Sequence, residues 1–427
     1  MNMKTEFHSD REFAYKLDRD DPLAPFRSKF LIPDPGVIYM DGNSLGRLPL
    51  RTIERMRTVV EHEWGQELIR SWGENWWDAP VRLGEKIARL VGARQGQVII
   101  CDTVSVNLFK LASAALSLHP DRTKIVTDSL NFPSDLYILQ GLVNMLGERH
   151  EIVRIGSTDG DITPDLNALS ATIDDNTALV TLSHVTFKSG YLYDMVAITE
   201  LAYRHGALVL WDLSHSVGAV PITLDACQAD FAIGCTYKYL NDGPGSPAFL
   251  YVRKDLQEQV LSPIWGWWGQ KTPFNFDLDY TPAPGMTRFL VGTQPILSLL
   301  AMESGLDLTI EAGLEMIRAK SVQMTEYMIY LFDIILAPLG FSLGSPRLPD
   351  RRGSHISIRH QEGYRINRTL IEEMNVIPDF REPDNLRLGL APLFTTFSEI
   401  WETVDHIRGS VEEQRYLKYP SDRQVIT

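Results

Sequence analysis

The sequence predicts an α/β protein with a large, doubly wound, mostly parallel sheet, followed by a smaller α+β domain. Between Gln97 and Val252, short runs rich in Val, Ile and Leu alternate with segments of helical periodicity. This alternation is typical of strands covered on both faces by helices. After Pro295 it gives way to longer helices around two short strand-like stretches. With 427 residues, the chain exceeds what one hydrophobic core usually serves, so two domains are expected.

The predicted elements follow the apolar runs in order. In the large domain, strands are expected at Val98–Cys101, Lys124–Val126, Ile152–Ile155, Ala178–Leu182, Ala207–Trp211, Phe231–Ile233 and Ala248–Val252. The intervening helices include Met195–His205, which ends in a basic turn before Gly206. In the small domain we expect helices at Pro295–Ala312, Leu314–Leu339, Tyr364–Met374 and Phe397–Gln414, strands at Gly353–Arg359 and Leu386–Leu390, and a frayed tail at Tyr419–Thr427.

These elements predict three units along the chain. Residues 1–60 form an N-terminal segment that packs with the small domain, residues 61–300 form the large domain, and residues 301–427 form the small α+β domain. No internal repeat and no low-complexity segment interrupts them.

Composition and charge exclude several classes of partner. A net charge of −14 without a basic run argues against nucleic acid and anionic membranes. No stretch approaches ~18 uninterrupted apolar residues, the length of a membrane span. Only three cysteines are present, which favours a reducing compartment, and the charged N-terminus shows no signal peptide. We therefore expect a cytoplasmic protein, and we predict no metal site.

The clearest chemical signal comes from two residues that follow neighbouring strands. Asp212 ends one apolar run, and Lys238 follows the next, in a turn that closes with Gly243-Pro244-Gly245. A lysine after a strand is usually a surface residue, but Tyr237 and Tyr239 flank this one with large rings. Asp212 could be an ordinary helix N-cap. Together, however, Lys238 and Asp212 supply the two groups that hold pyridoxal phosphate (PLP). These are an amine for a Schiff base and an anion for the pyridine nitrogen.

Polar groups also follow other predicted strands, and the carboxyl ends of such strands are where ligands gather. The stretches concerned are 103–107, 131–135, 183–184 and 212–215. Ser105 opens a helix, where a hydroxyl is commonly a cap but also suits a phosphate. Phe132 could be a core residue or could cover a flat ring. His215 could brace Asp212 or the cofactor's phenolic oxygen, although a lone histidine is more often structural.

Two further features could bind substrate. Arg387 lies between apolar residues of a short strand, where it could face solvent or clamp a substrate carboxylate. Tryptophans are concentrated in two stretches, 64–77 and 265–268. Most are expected in the core or at a subunit interface, and some could wall a pocket for an aromatic substrate.

These segments together resemble the kynureninase family, within the class V aminotransferase group of fold-type I PLP enzymes. The similarity runs in family order from about Asp41 to Phe397. The segments that carry it are Asp41-Gly42-Asn43-Ser44-Leu45-Gly46, Ser105-Val106-Asn107-Leu108, Phe132-Pro133-Ser134-Asp135, Trp211-Asp212-Leu213-Ser214-His215-Ser216-Val217-Gly218, Tyr237-Lys238-Tyr239-Leu240-Asn241, Gly266-Trp267-Trp268-Gly269, and Arg387 with Ala391-Pro392-Leu393.

The resemblance implies an activity and a role for each residue. The implied reaction is hydrolysis of L-kynurenine to anthranilate and L-alanine, in tryptophan catabolism and NAD biosynthesis. Lys238 would carry the cofactor and remove the Cα proton, Asp212 would bind the pyridine nitrogen, and Tyr237 would relay protons. The implied cofactor-binding residues are Val104, Ser105, Phe132, Pro133, Ser134, Asp135, Ser183, Asp212, His215, Tyr237 and Lys238, with Trp267 and Thr293 from the second subunit of a homodimer. Ser44, Trp72 and Arg387 would bind substrate.

Three positions depart from the animal members of the family. Val104 stands where leucine is frequent, Thr293 where animal members carry asparagine, and Trp72 where they carry histidine. The last two resemble the bacterial type, so 3-hydroxykynurenine is expected to be the poorer substrate. A desulfurase-like or selenocysteine lyase-like enzyme of the same group would need a late cysteine, but the last one is Cys235. A catalytically silent PLP-binding protein would not need Arg387.

Overall fold

A computed structural model describes residues 6–421, so the last part of the predicted frayed tail lies outside the described residues. The strands are β1 (Ile38–Tyr39), β2 (Val98–Ile100), β3 (Lys124–Asp128), β4 (Glu151–Ile155), β5 (Thr177–Ser183), β6 (Leu208–Asp212), β7 (Phe231–Gly234), β8 (Phe249–Val252), β9 (Ser342–Leu343), β10 (His355–Arg359), β11 (Val376–Ile377), β12 (Asp379–Arg381) and β13 (Asn385–Gly389). The helices are α1 (Arg11–Asp20), α2 (Leu50–Thr58), α3 (Ala79–Leu90), α4 (Val104–Leu118), α5 (Pro133–Met145), α6 (Leu166–Thr172), α7 (Met195–Arg204), α8 (Ile296–Ala312), α9 (Leu314–Leu331), α10 (Gly363–Met374) and α11 (Phe397–Glu412).

The large domain is built on one sheet in the order β2-β8-β7-β6-β5-β3-β4. Strand β8 runs antiparallel to both neighbours, and the pairs from β7 to β4 are parallel. All seven predicted apolar runs are strands of this sheet, so the predicted α/β fold is confirmed.

Both faces of the sheet are covered, which explains why its strands lack polar alternation. In β6, Val209 and Trp211 belong to the core on one face, whereas Leu208 and Leu210 belong to the core on the other. Successive side chains of a strand point to opposite faces, so a strand between two helical layers is apolar at most positions.

The small domain has an antiparallel sheet in the order β12-β13-β10-β9. Its core includes residues of α9, α10 and α11. Helix α9 continues through irregular turns to Leu339, as the prediction of Leu314–Leu339 anticipated. By length and composition this segment could cross a membrane, and 44% of its most apolar window is buried inside the protein.

The N-terminal segment contacts the small domain, and two of these contacts involve backbone groups of the small domain. Strand β1 pairs in parallel with β11. The Asp18 carboxylate accepts hydrogen bonds from Phe397 N at 2.6 Å and Ser398 N at 3.1 Å, and so caps α11. The division at residues 60 and 300 stays a prediction. Helix α8 crosses the second boundary, and its Leu306 still belongs to the core of the large domain.

Candidate active site

A cavity of about 360 Å³ opens at the carboxyl ends of the large-domain strands. Residues from the large domain, the small domain and the segment after β1 all line it. They are Ser44, Thr103, Val104, Ser105, Phe132, Ser134, Asp135, Asp212, Ser214, His215, Cys235, Tyr237, Lys238, Gly245, Ser246, Ala248, Arg381 and Arg387. Eleven residues predicted from the sequence are therefore brought together: Ser44, Val104, Ser105, Phe132, Ser134, Asp135, Asp212, His215, Tyr237, Lys238 and Arg387.

The turn after β7 presents Lys238 to this cavity. Its Nζ lies 2.9 Å from Nε2 of His215. Burial, followed by the charges of Lys238 and Arg387, lowers the pKa of His215 well below its ordinary value, so the imidazole is neutral. The backbone of the turn is fixed by Asn241, which adopts a left-handed φ of 60°. A neutral acceptor beside the amine holds it in place without adding charge.

Two buried carboxyl groups face the same space. Asp212 Oδ1 accepts hydrogen bonds from Ser214 N at 2.9 Å and Ser214 Oγ at 2.6 Å. Burial raises the pKa of Asp212, against the opposing effects of Ser214 and Lys238. Burial and the Asp212 charge raise the pKa of Asp135 well above its ordinary value. Asp135 Oδ2 has no hydrogen-bond partner among the described residues.

The N-terminus of α4 provides an anion site at another wall. Thr103 caps the helix by accepting a hydrogen bond from Val106 N. Ser105 Oγ lies 3.0 Å from Ser134 Oγ, so the first turns of α4 and α5 place two hydroxyls side by side. Free N–H groups and hydroxyls at a helix N-terminus bind phosphate.

Arg387 lies at the small-domain wall and is 1% exposed. It donates to Ser44 Oγ and to Phe187 O, both at 2.6 Å, and forms an ion pair with Asp379. Its Nε has no hydrogen-bond partner among residues 6–421. A buried guanidinium with a free donor suits a ligand carboxylate.

Tyr237 and Phe132 complete the walls. The pKa of Tyr237 is raised, first by Cys235 and then by burial, so the phenol keeps its proton at neutral pH. Phe132 is 42% exposed and meets Phe187 edge to face, with ring centroids 5.3 Å apart. An exposed aromatic ring in a cavity can cover a flat ligand.

Five predicted site residues do not line the cavity. Pro133 occupies the first turn of α5, and the buried Ser183 donates to Asn131 Oδ1 at 2.6 Å. Trp72 and Trp267 belong to an aromatic cluster, with ring centroids 6.2 Å apart. Thr293 is exposed.

The structure adds residues that sequence reasoning missed. Cys235 and Ser246 line the cavity from the segments that flank Lys238, and their closeness in sequence to the Lys238 turn was the available signal. Arg381 lines it from β12, a strand too short to show a periodic pattern. The ring of His355 lies 5.5 Å from that of His215, and no local sequence signal marks it.

These groups fit PLP. The paired carboxyls Asp135 and Asp212 call for a cation, which a protonated pyridine nitrogen supplies. The α4 N-terminus suits its phosphate, and Lys238 offers the amine. The unpartnered Asp135 Oδ2 and the neutral His215 are the buried polar groups that such a ligand would satisfy.

Comparison with known proteins identifies the family. A kynureninase C-terminal domain model matches residues 317–407. Kynureninase from Pseudomonas fluorescens is 45% identical over 410 residues, covering 95% of this chain and 96% of that one. Kynureninase from Burkholderia pseudomallei (strain 1106a) is 44% identical over 411 residues, covering 95% and 96%.

Solved structures support the fold alone. An apo cysteine desulfurase from Thermococcus onnurineus NA1 matches with a TM-score of 0.75 at 18% identity, over 93% of this chain and 98% of that one. A C-DES mutant with glycine covalently linked to its PLP cofactor matches with a TM-score of 0.77 at 19% identity, over 90% and 98%. Given its similarity to curated relatives over nearly the full length, the chain belongs to the kynureninase family of PLP-dependent hydrolases that act on carbon–carbon bonds in ketonic substances.

Proposed function

We propose that this enzyme hydrolyses the Cβ–Cγ bond of L-kynurenine to release anthranilate and L-alanine, in tryptophan catabolism and NAD biosynthesis. One observation carries the assignment of the site. A single cavity joins Lys238 and the carboxyl pair Asp135 and Asp212 to the buried guanidinium of Arg387. An α-amino acid substrate needs both ends of this cavity. One end supplies an amine-bearing centre for its Cα, and the other supplies a cation for its carboxylate.

The position of each residue in the cavity sets its role in the reaction. Arg387 and Ser44 bind the substrate carboxylate, and this fixes Cα near Lys238. When bound, PLP supplies an electron-withdrawing ring that stabilises negative charge on the substrate. Lys238 Nζ removes the Cα proton as a general base, beside the neutral imidazole of His215. Tyr237, which keeps its phenolic proton, donates it where negative charge develops.

The remaining cofactor contacts follow from the walls. Val104, Ser105 and Ser134 would hold the phosphate, with Pro133 shaping the first turn of α5. Phe132 would cover one face of the ring. Ser183 acts on the cofactor indirectly, through Asp212, because it lies opposite Asp212 in the β5–β6 pairing.

We further propose a homodimer in which Trp267 and Thr293 serve the partner's cavity. Both are partly or well exposed and lie away from their own cavity, which supports a contribution across an interface. Trp72, in the same aromatic cluster, then borders the aryl side. We assign the enzyme to the cytoplasm, which agrees with its three unpaired, buried cysteines.

The test is conversion of L-kynurenine to fluorescent anthranilate and an equal amount of alanine by the purified PLP enzyme. Absence of anthranilate would refute the proposal. We expect 3-hydroxykynurenine to be the poorer substrate, and the double variant Trp72→His, Thr293→Asn to shift the ratio of kcat/KM towards it. Preferential turnover of 3-hydroxykynurenine by the wild type would contradict the role given to these two residues.

The desulfurase-like alternative is not favoured. That chemistry needs a nucleophilic cysteine that can reach substrate from a late, mobile loop. Cys235 is the last cysteine in the chain, it is 2% exposed, and burial raises the pKa of its thiol. Such a thiol is a poor nucleophile.

A further inference from the structure

Asp379 lies between two arginines at the small-domain wall of the cavity. In the antiparallel β12–β13 pair, Asp379 stands directly opposite Arg387. Arg381 follows it by two positions on β12, so its side chain leaves the same face of the strand. Asp379 Oδ2 contacts Arg387 Nη2 and lies 2.9 Å from Arg381 Nε. One carboxylate is therefore shared between two guanidinium groups.

The two arginines differ in their surroundings. The side chain of Arg387 is 2% exposed and that of Asp379 is 7% exposed. The side chain of Arg381 is 37% exposed and lines the cavity. Arg387 is held by Ser44 and Phe187 as well as by Asp379, whereas Asp379 is the ion-pair partner of the more exposed Arg381.

Charge balance at this wall changes when a carboxylate arrives. Asp41 Oδ1 lies 3.9 Å from Arg387 Nη2, so two carboxyl groups face two guanidinium groups. An incoming carboxylate on Arg387 adds a third negative charge and competes with Asp379 for the same Nη2. A buried carboxylate that loses its partner is strongly destabilised, so Asp379 needs another cation at that moment.

We propose that Asp379 passes from Arg387 to Arg381 when the α-carboxylate of an amino acid binds. Arg381 is then a positioning residue, because it acts on the ligand through Asp379 and frees Arg387. This inference rests on the proposed role of Arg387 as the carboxylate site. On this proposal, the ligand carboxylate replaces Asp379 on Arg387, so the small-domain wall does more than present a single fixed arginine.

The test measures the dissociation constant of L-alanine for the PLP-loaded enzyme by calorimetry, in a double-mutant cycle. Arg381→Gln should weaken binding by about tenfold or more, since Asp379 then stays on Arg387. Asp379→Asn alone should bind L-alanine at least as tightly as the wild type. In the Asp379→Asn background, Arg381→Gln should change the constant by less than about twofold, within the usual additivity error. With L-kynurenine, Arg381→Gln should raise KM and leave kcat nearly unchanged.

Further variants separate the possible failures. Arg381→Lys keeps a cation and should restore most of the affinity, which a purely structural loss would not allow. An equal loss from Arg381→Gln in both backgrounds would mean that Arg381 binds the ligand directly and would overturn the exchange. No effect of Arg381→Gln in the wild-type background would overturn it as well. Unchanged L-alanine binding in Arg387→Gln would instead refute the proposed function of Arg387.

Discussion

Half-buried Lys238 is distinguished from the buried lysines Lys110 and Lys320 by what surrounds its amine. Lys110 is paired with Asp102, and Lys320 with Asp21 at 2.7 Å, so both are neutralised within the fold. Lys238 Nζ instead meets the neutral ring of His215. An amine in the cavity without a bonded carboxylate remains available for chemistry, whereas a paired one serves stability.

Replacing this amine should therefore remove the cofactor signal. We expect the wild-type protein purified with PLP to be yellow and Lys238→Ala to lose the visible absorption of bound cofactor together with anthranilate formation. Lys271→Ala, at an exposed position, is the matched control and should retain both. A colourless wild type after addition of PLP would contradict the assignment of the cavity.

Asp41 predicts a pH dependence of carboxylate binding. Burial and the neighbouring Asp379 raise the pKa of Asp41 to about 6, and Arg387 and Arg381 oppose the rise. Below that pH Asp41 is neutral, and above it the anion lies 3.9 Å from Arg387 Nη2 and repels a ligand carboxylate. Affinity for L-alanine should therefore fall as pH rises through about 6.

The measurement compares the wild type with Asp41→Asn between about pH 5 and 8, a range in which the ligand carboxylate stays ionised. The ratio of their dissociation constants should change by up to about tenfold, the factor of one pKa unit. The variant cannot titrate at this position, so other pH effects cancel in the ratio. A ratio independent of pH would show that Asp41 does not act on the bound carboxylate.

The sequence was most informative about residues whose chemistry is local. Asp212, Lys238 and the hydroxyls of α4 and α5 follow apolar strands, and the rule for strand ends places them together. Arg381 and Asp379 could not be found in this way. Their role depends on the register of β12 against β13, and a strand of three residues shows no periodicity from which to infer it.

At the scale of elements, helix α8 and the segment after β1 confine the turn that carries Lys238. A Cβ on Gly305 would lie 2.1 Å from Leu240 O, and one on Gly46 would lie 2.4 Å from Lys238 O. Both contacts are with backbone atoms, which cannot rotate away. The close approach of these two elements therefore sets the position of the Lys238 turn.

Gly305→Ala should disturb this arrangement. The added methyl group must displace either α8 or the backbone at Leu240, so we expect the free energy of unfolding to fall by about 1–3 kcal/mol. Bound PLP should also dissociate more readily. Gly141→Ala is the control, because a Cβ there meets nothing within 4 Å and alanine favours the helix. Denaturant unfolding and cofactor absorbance check both effects, and equal behaviour of the two variants would contradict this account.

Element boundaries show what periodicity can and cannot predict. The seven strands of the large sheet were predicted because each is apolar at consecutive positions. Strands β9, β11 and β12 have two or three residues each and were not predicted. Their pairing is decided by tertiary contacts, such as that of β1 with β11.

For the whole molecule, the cavity lies where three parts of the chain meet. Ser44 comes from the N-terminal segment, Lys238 from the large domain and Arg387 from the small domain. The aromatic cluster around Trp267 lies apart from this wall, and the following stretch exposes Phe274, Phe276 and Leu278, the last of these completely. An exposed apolar surface next to predicted site residues supports the proposed interface with a second copy.

A shared site makes a prediction that no single-chain site makes. If Trp267 serves the partner's cavity, Lys238→Ala and Trp267→Ala damage the same site of a mixed dimer, and the other site is left with both residues intact. Mixing and reassociating two variants of low activity should restore up to about a quarter of the sites, since random pairing makes half of the dimers mixed. Anthranilate formation is the measurement, and separately tagged chains confirm the mixed dimer.

In the matched control, Lys238→Ala is mixed with Arg387→Ala. Both residues serve the cavity of their own chain, so each site of that mixed dimer carries one lesion and no activity should return. Lys238→Ala mixed with itself should give none. A second arm mixes the double variant Lys238→Ala, Trp267→Ala with wild type. With Trp267 acting across the interface, the wild-type site of that mixed dimer lacks its tryptophan and activity falls below that of a mixture with Lys238→Ala alone. Equal activity of these two mixtures would place Trp267 in its own chain's site.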